Sequence, residues 1–275
     1  MVDRNANSRS AYWPTGMQEI EHLQCAIRNG VAWIHVSRVD RRNAFTNAMY
    51  KGLSDLLTAL DNVEAVRCIV IRGANGIFTS GSDVEHFLGM GVVERAEHFR
   101  LVANLLIAPA SIGKPVIAAI QGFALGGGTG LTAACDLAIA QEGSTFGLPE
   151  VFVGLWPCTL LPALIRMVGP RKAYEMALMG DRLDAYQAQS AGLVNYVAKA
   201  EDFEDVLEAL LARIVALSPA VVQMGKRSFQ QALDTEFHSA TRFMSQVMAL
   251  NSATEDAHHG ITAFFERKKP TWTGR

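Results

Sequence analysis

Residues 126–130 read Gly-Gly-Gly-Thr-Gly and lie between a β-branched run and an Ala/Leu-rich stretch. A strand-to-helix turn so rich in glycine lets another group approach the backbone closely. It also turns free N–H groups, and the positive end of the helix, toward that group. Four readings compete. A phosphate-binding P-loop needs a Lys after its glycines, and none follows here. Gly128-x-Gly130-x-x-Ala133 fits a dinucleotide fingerprint, but the acid that should end the next strand is missing. That strand ends near Ala140, its first acid is Glu142, and Glu150 stands at the right count in a loop. A tight packing turn that binds nothing is the third reading. The fourth is an oxyanion hole, in which an N–H at a helix start stabilises charge growing on a carbonyl oxygen. Losing one such donor typically costs about 10²–10³ in rate. A second donor is then needed, and the loop Phe78-Thr79-Ser80-Gly81-Ser82-Asp83 is the candidate, with Asp83 placed to cap a following helix.

The elements that must hold these loops follow from periodicity. Residues 19–38 read as two strands joined by Asn29-Gly30, a strong hairpin signal. Thr46 is placed to cap a helix whose stripe is Met49, Leu53, Leu56, Leu57 and Leu60. Short buried strands are expected at 66–71, 115–119 and 137–140, with a helix over 84–106 interrupted by Gly89 and Gly91, and another through Ala134. Beyond Gly154 helices are expected at 159–168, 171–179, 185–191, 203–217, 220–233, 237–250 and 255–267, with one strand at 194–197. The first two thirds therefore alternate strand and helix, which implies parallel strands with crossovers. The last third is nearly all helix and must bury its apolar faces on the core or on a neighbouring copy.

Composition narrows the class. The 275 residues, 49% hydrophobic, suffice for one large domain with an appendage. The net charge of −2 argues against a basic nucleic-acid binder. Cys25, Cys68, Cys135 and Cys158 form no CxxC pair and have no His at zinc-finger spacing, so neither a disulfide framework nor structural zinc is expected. A reducing compartment, the cytoplasm, is the expectation. No apolar run is long enough to span a membrane. Residues 1–18 read as a flexible polar tail, closer to a frayed end than to a transit peptide.

Taken together, the motifs resemble the crotonase (enoyl-CoA hydratase/isomerase) superfamily. In order they are Arg41-Arg42-Asn43-Ala44; Phe78-x-x-Gly-x-Asp83; Lys114-Pro-Val-Ile-Ala-Ala with Gly122 and Gly126-Gly127-Gly128; Cys135-Asp136; and Phe146-Gly147-x-Pro149-Glu150. Gly169, Met179-Gly180, Ala191-Gly192-Leu193-Val194 and residues 264–269 extend the likeness, which spans roughly 19–275. The resemblance implies an α/β fold: a crotonase-like ββα spiral core over 19–200 and a C-terminal helical region over 201–275 used in trimer contacts. A homo-oligomer, a trimer or a dimer of trimers, is expected. It implies an acyl-CoA substrate, coenzyme A being part of that substrate and no separate cofactor being needed. The thioester oxygen would receive N–H bonds from Ser82 and Gly127, with Gly126 beside the substrate. CoA would lie near Arg41, Ala44 and Ser80, with Phe264 and Arg267 contributed by a neighbouring subunit; solvated charge is the plain alternative for Arg41, Arg42 and Arg267.

Hydratases of this family carry two glutamates that address one water. Glu150 matches the second, and Gly130 stands where the first would be. Pro149 gives the Glu150 loop a defined backbone, and a carboxylate in an apolar pocket has a raised pKa suited to proton abstraction. One base suffices for allylic isomerisation, so Glu150 as a lone proton shuttle is the leading expectation. A one-glutamate hydratase or hydratase-lyase is the alternative, and a catalytically silent CoA-binding scaffold is a third. Trp156, Pro157 and Cys158 stand where an acyl pocket is lined, or pack in the core. His86 reads more readily as surface than as pocket, Asp136 as structural, and His258-His259 does not form a metal site.

Overall fold

The computed structural model describes residues 12–275. The chain opens with the hairpin that Asn29-Gly30 announces. Strand β1 (Leu23–Arg28) pairs antiparallel with β2 (Val31–Val36), and both turn residues adopt positive φ, 50° and 79°. Strands β3 (Cys68–Gly73), β4 (Val116–Ile120), β6 (Leu137–Gln141) and β9 (Tyr196–Ala198) then add in parallel, in the order β1-β2-β3-β4-β6-β9. Side chains alternate across this sheet with period 2. Ala32, Ile34, Ile69, Ile71 and Ala118 face the larger core, with Met49, Leu53 and Leu57 of helix α1 (Asn47–Asp61) and Leu101 and Leu105 of α2 (Val92–Ser111). Trp33, Cys68, Val70, Ile117 and Ile139 face the opposite layer with Phe203, Leu207 and Leu211. As expected, Thr46 caps α1, its hydroxyl accepting from Met49 N.

A second sheet of three-residue strands is the part that positions the site. Strand β5 (Phe123–Leu125) pairs parallel with β7 (Thr145–Gly147), which pairs antiparallel with β8 (Arg182–Asp184). These strands are too short to show a period and were not expected. Helix α3 (Gly127–Ala134) leaves β5 at the glycine turn. The expected helix over 84–106 is instead a 3-10 turn, Val84–Gly89, followed by α2. The break falls at the two glycines, where Glu94 accepts from the backbone N–H of Gly91.

The rest of the chain is helical: α4 (Leu161–Met179), α5 (Ala185–Ser190), α6 (Phe203–Val215), α7 (Pro219–Leu233), α8 (Phe237–Ser252) and α9 (Glu255–Glu266). The two helices expected at 159–168 and 171–179 join in α4 across a kink at Gly169, whose φ is 75°. Asp136 is structural, as expected: its carboxylate accepts from Val116 N and pairs with Lys226 of α7 at 2.6 Å. Residues 1–11 of the expected tail lie outside the described residues, whereas Tyr12, Trp13 and Met17 pack against the core.

Candidate active site

Two glycine turns meet at the C-terminal ends of β3 and β5. In the first, Thr79 Oγ1 donates to Asn43 O at 2.7 Å and accepts from Gly81 N at 3.0 Å. Asn43 is fully buried and holds the neighbouring backbone: its amide donates to Ala74 O and Ile77 O, and its oxygen accepts from Arg38 N. Gly81 O accepts from Phe45 N, and Asp83 N donates to Phe45 O. Ser82 N lies between these two ladder bonds and faces the other way.

In the second turn Thr129 Oγ1 shares its one proton between Ala124 O and Gly147 O and accepts from Gly147 N, which locks β5, β7 and α3 together. The turns touch. A Cβ on Gly81, where φ is 92°, would stand 3.0 Å from Gly127 N, and one on Gly127 would stand 3.8 Å from Ser82 N. Among the described residues neither Ser82 N nor Gly127 N donates to a protein acceptor. Two free amides thus stand side by side, one of them opening a helix. The arrangement is built to receive a partial negative charge.

Before these amides lies a cavity of about 820 Å³. Ser82, Gly127, Glu150, Gly126, Ser80, Arg41, Ala44 and Trp156 all line it. Glu150 sits in a 3-10 turn, Pro149–Val153, delivered by β7. Its Oε1 lies 2.7 Å from the place a Cβ on Gly126 would take, so only glycine leaves that oxygen its position. Its Oε2 is buried with no hydrogen-bond partner. Burial raises the carboxyl above its usual range. Asp83 behaves oppositely: burial alone would raise it, but the hydrogen bond and charge of Arg38, 2.7 Å away, hold it below the usual range. At the mouth Arg41 pairs with Glu85 at 2.8 Å.

The glycines of the turn serve the packing differently. Gly128 presses on Thr79, and a Cβ on Gly130 would lie 2.9 Å from Leu160 Cδ2 and 3.5 Å from Leu106 Cδ2. Those contacts leave no cradle for a pyrophosphate, so the dinucleotide reading falls. Phe87, Phe99, Val102, Leu155 and Leu160 complete an apolar wall that sequence reasoning missed, because they come from three separate elements. Tyr50 was missed as well: it sits on the apolar stripe of α1, with its hydroxyl 2.8 Å from Ser82 Oγ. Cys158 lines the cavity and His86 does not. Phe264 is 77% exposed, and both it and Arg267 stand at the end of α9, away from the cavity lining of their own chain. Among the described residues no group of three or more His, Cys, Asp or Glu is arranged to hold a metal ion.

The model of the family described as enoyl-CoA hydratase/isomerase matches residues 26–275. Enoyl-CoA hydratase domain-containing protein 3, mitochondrial, of Homo sapiens is 33% identical over 262 residues, covering 94% of this chain and 86% of that protein. The 2,3-dehydroadipyl-CoA hydratase of Escherichia coli (strain K12) is 32% identical over 246 residues, covering 89% and 96%. The crystal structure of the human domain-containing protein 3 superposes with a TM-score of 0.88 at 30% identity, covering 91% of this chain and 100% of that one. An enoyl-CoA hydratase structure from Mycobacterium smegmatis gives 0.88 at 31% identity, covering 91% and 98%.

Proposed function

Because the chain belongs to the enoyl-CoA hydratase/isomerase family, we propose that it is an acyl-CoA enzyme that shifts a double bond, with Glu150 as its single proton shuttle. One observation carries the choice of reaction: among the described residues lining the cavity, Glu150 is the one carboxylate with a buried, unpaired oxygen. Asp83 is paired with Arg38, Glu85 is paired with Arg41, and Asp40 is exposed at the rim. The space beside Gly130, where a second carboxylate could address a water, is filled by Leu160 and Leu106.

The thioester oxygen of a 3-enoyl-CoA sits between Ser82 N–H and Gly127 N–H. Glu150 removes a proton from C2, and the electron pair left behind spreads through the double bond onto that oxygen. The amides and the helix end stabilise the dienolate. Glu150 then returns the proton at C4, so that C2=C3 replaces C3=C4 and atoms balance without water. Elevation of the Glu150 pKa suits both halves, taking a proton and giving it back. Arg41, Ala44 and Ser80 hold the CoA end at the mouth, and Trp156 lines the acyl side. Phe264 and Arg267 serve the site of a neighbouring copy in a homo-oligomer, a trimer or a dimer of trimers. Exposed Phe229, Leu233, Leu250 and Phe265 on α7–α9 support that assembly.

A second reading, hydration or hydratase-lyase chemistry with one glutamate, is favoured by the names of relatives such as the crotonyl-CoA hydratase of Syntrophomonas wolfei, 30% identical over 250 residues. Incubation with 3-enoyl-CoA and 2-enoyl-CoA in deuterated water separates the readings. Interconversion of isomers with no hydroxyacyl product is the expected result, deuterium entering only as far as the proton on Glu150 exchanges before it is returned. Hydroxyacyl-CoA formation overturns isomerisation in favour of hydration. Tight CoA binding with no exchange leaves a catalytically silent scaffold.

A further inference from the structure

Tyr50 is 3% exposed, on the buried stripe of α1. Among the described residues its hydroxyl has one hydrogen-bond partner, Ser82 Oγ at 2.8 Å. The same oxygen lies 2.7 Å from the place a Cβ on Gly127 would occupy. Two hydroxyls therefore stand against the two free amides, and one of them is the side chain of an amide donor.

The pair holds two protons and one hydrogen bond. If Ser82 donated, the phenol proton would be left without an acceptor in a buried place, with the full desolvation cost of an unmade bond. Glu150 Oε2 does not receive it, being itself unpartnered. If Tyr50 donates, the spare proton belongs to Ser82, which is half-buried and lines the cavity. That arrangement leaves no buried hydroxyl of the pair unsatisfied. Burial also keeps the phenol protonated, its pKa lifted above the usual value, so it remains a donor.

We propose that the Ser82 hydroxyl is a third donor to the thioester oxygen, beside Ser82 N–H and Gly127 N–H, and that Tyr50 is the positioning residue that turns it into the cavity. This rests on the acyl-CoA reading of the site and holds for isomerisation and hydration alike, because both pass through charge on that oxygen.

The test is the C=O stretch of butyryl-CoA labelled with ¹³C at the thioester carbon, bound to the protein and read by isotope-edited infrared difference spectroscopy. Ser82→Ala keeps the amide and Tyr50→Phe keeps the ring, so each removes one hydroxyl. Wild-type protein shifts the stretch to lower frequency than in water. Each variant is expected to lose part of that shift, and the double variant no more than either single one. Turnover should fall about tenfold, the scale of one hydrogen bond, in kcat with KM little changed. Ser82→Thr, which restores a hydroxyl, should regain most of it. A merely structural Tyr50 would instead lower kcat further in the Ser82→Ala background. An unchanged stretch in both variants, with binding intact, overturns the third donor and leaves the acyl-CoA reading standing. Failure of wild-type protein to bind the thioester removes the reading beneath it as well.

Discussion

Gly126→Ala tests whether the position of one oxygen atom governs turnover. Gly126 adopts φ 52° and ψ −119°, a region closed to residues with a Cβ. Forcing alanine into it costs about 1–3 kcal/mol in backbone strain. The second effect is local. The new methyl would start 2.7 Å from Glu150 Oε1, against an ordinary contact of 3.4 Å or more, so the carboxylate must retreat by about 0.7 Å. A misplacement near 1 Å at a reacting group costs about 10² in rate, which sets the expected loss in kcat at roughly 10- to 100-fold. Gly143→Ala is the control: φ is 84° there, and nothing lies within 4 Å of the added Cβ. It should lose stability to strain and keep kcat. The assay follows conjugated 2-enoyl thioester formation from 3-enoyl-CoA by ultraviolet absorbance, with thermal melts alongside. If Gly126→Ala keeps kcat within twofold of wild type, Glu150 is not held where the proton is moved. If Gly143→Ala loses kcat equally, strain rather than displacement explains the effect.

Other consequences follow from the buried groups. Glu150 keeps its proton to a higher pH folded than unfolded, so stability falls as pH rises from about 4.3, the ordinary glutamate value, through the raised one. Glu150→Gln should therefore abolish turnover and gain more Tm relative to wild type at pH 7 than at pH 4; a pH-independent difference contradicts the burial argument. Wild-type kcat should rise with pH through that same raised value, since the carboxylate must start ionised. Lys226 is buried against Asp136 and also donates to Lys114 O; burial draws both members toward their neutral forms. Removing one partner by Lys226→Met should cost about 3–5 kcal/mol in urea unfolding, and a loss within 1 kcal/mol would show that Asp136 finds another partner. Gly130→Glu alone should melt lower and hydrate 2-enoyl-CoA poorly, because Leu160 stands 2.9 Å from the new Cβ; adding Leu160→Ala should yield hydroxyacyl-CoA. Equal hydration by the single variant would acquit Leu160 as the obstacle.

What sequence could disclose depended on whether a residue's role is local. The Asn29-Gly30 turn and the Thr46 cap are set by their own backbones and stand where spacing put them. So do the two glycine loops, where a Cβ at 81, 126 or 127 would meet the Leu125 backbone, Glu150 Oε1 or the Tyr50 hydroxyl respectively. The strands β5, β7 and β8 escaped because three residues carry no period, and a hydroxyl eighteen residues away, Thr129 to Gly147, ties two of them together. Tyr50 escaped because its ring obeys the stripe of α1 while its hydroxyl obeys Ser82, 32 residues on.

Gly130 shows where the boundary falls. Its lack of a carboxylate is plain in the sequence, but the meaning of that lack is not, since an empty space could admit water or a side chain from elsewhere. The structure fills the space with Leu160, the residue just before α4, and Leu106 of α2. Glu150 Oε2 is likewise without a polar partner, and burial lifts its pKa. A carboxylate at position 130 would have to displace Leu160, and as a like charge beside Glu150 it would add to the cost of ionising it. On the proposed reading, a second acid at position 130 would thus change Glu150 itself, and the test of the Gly130→Glu variants reads both effects together.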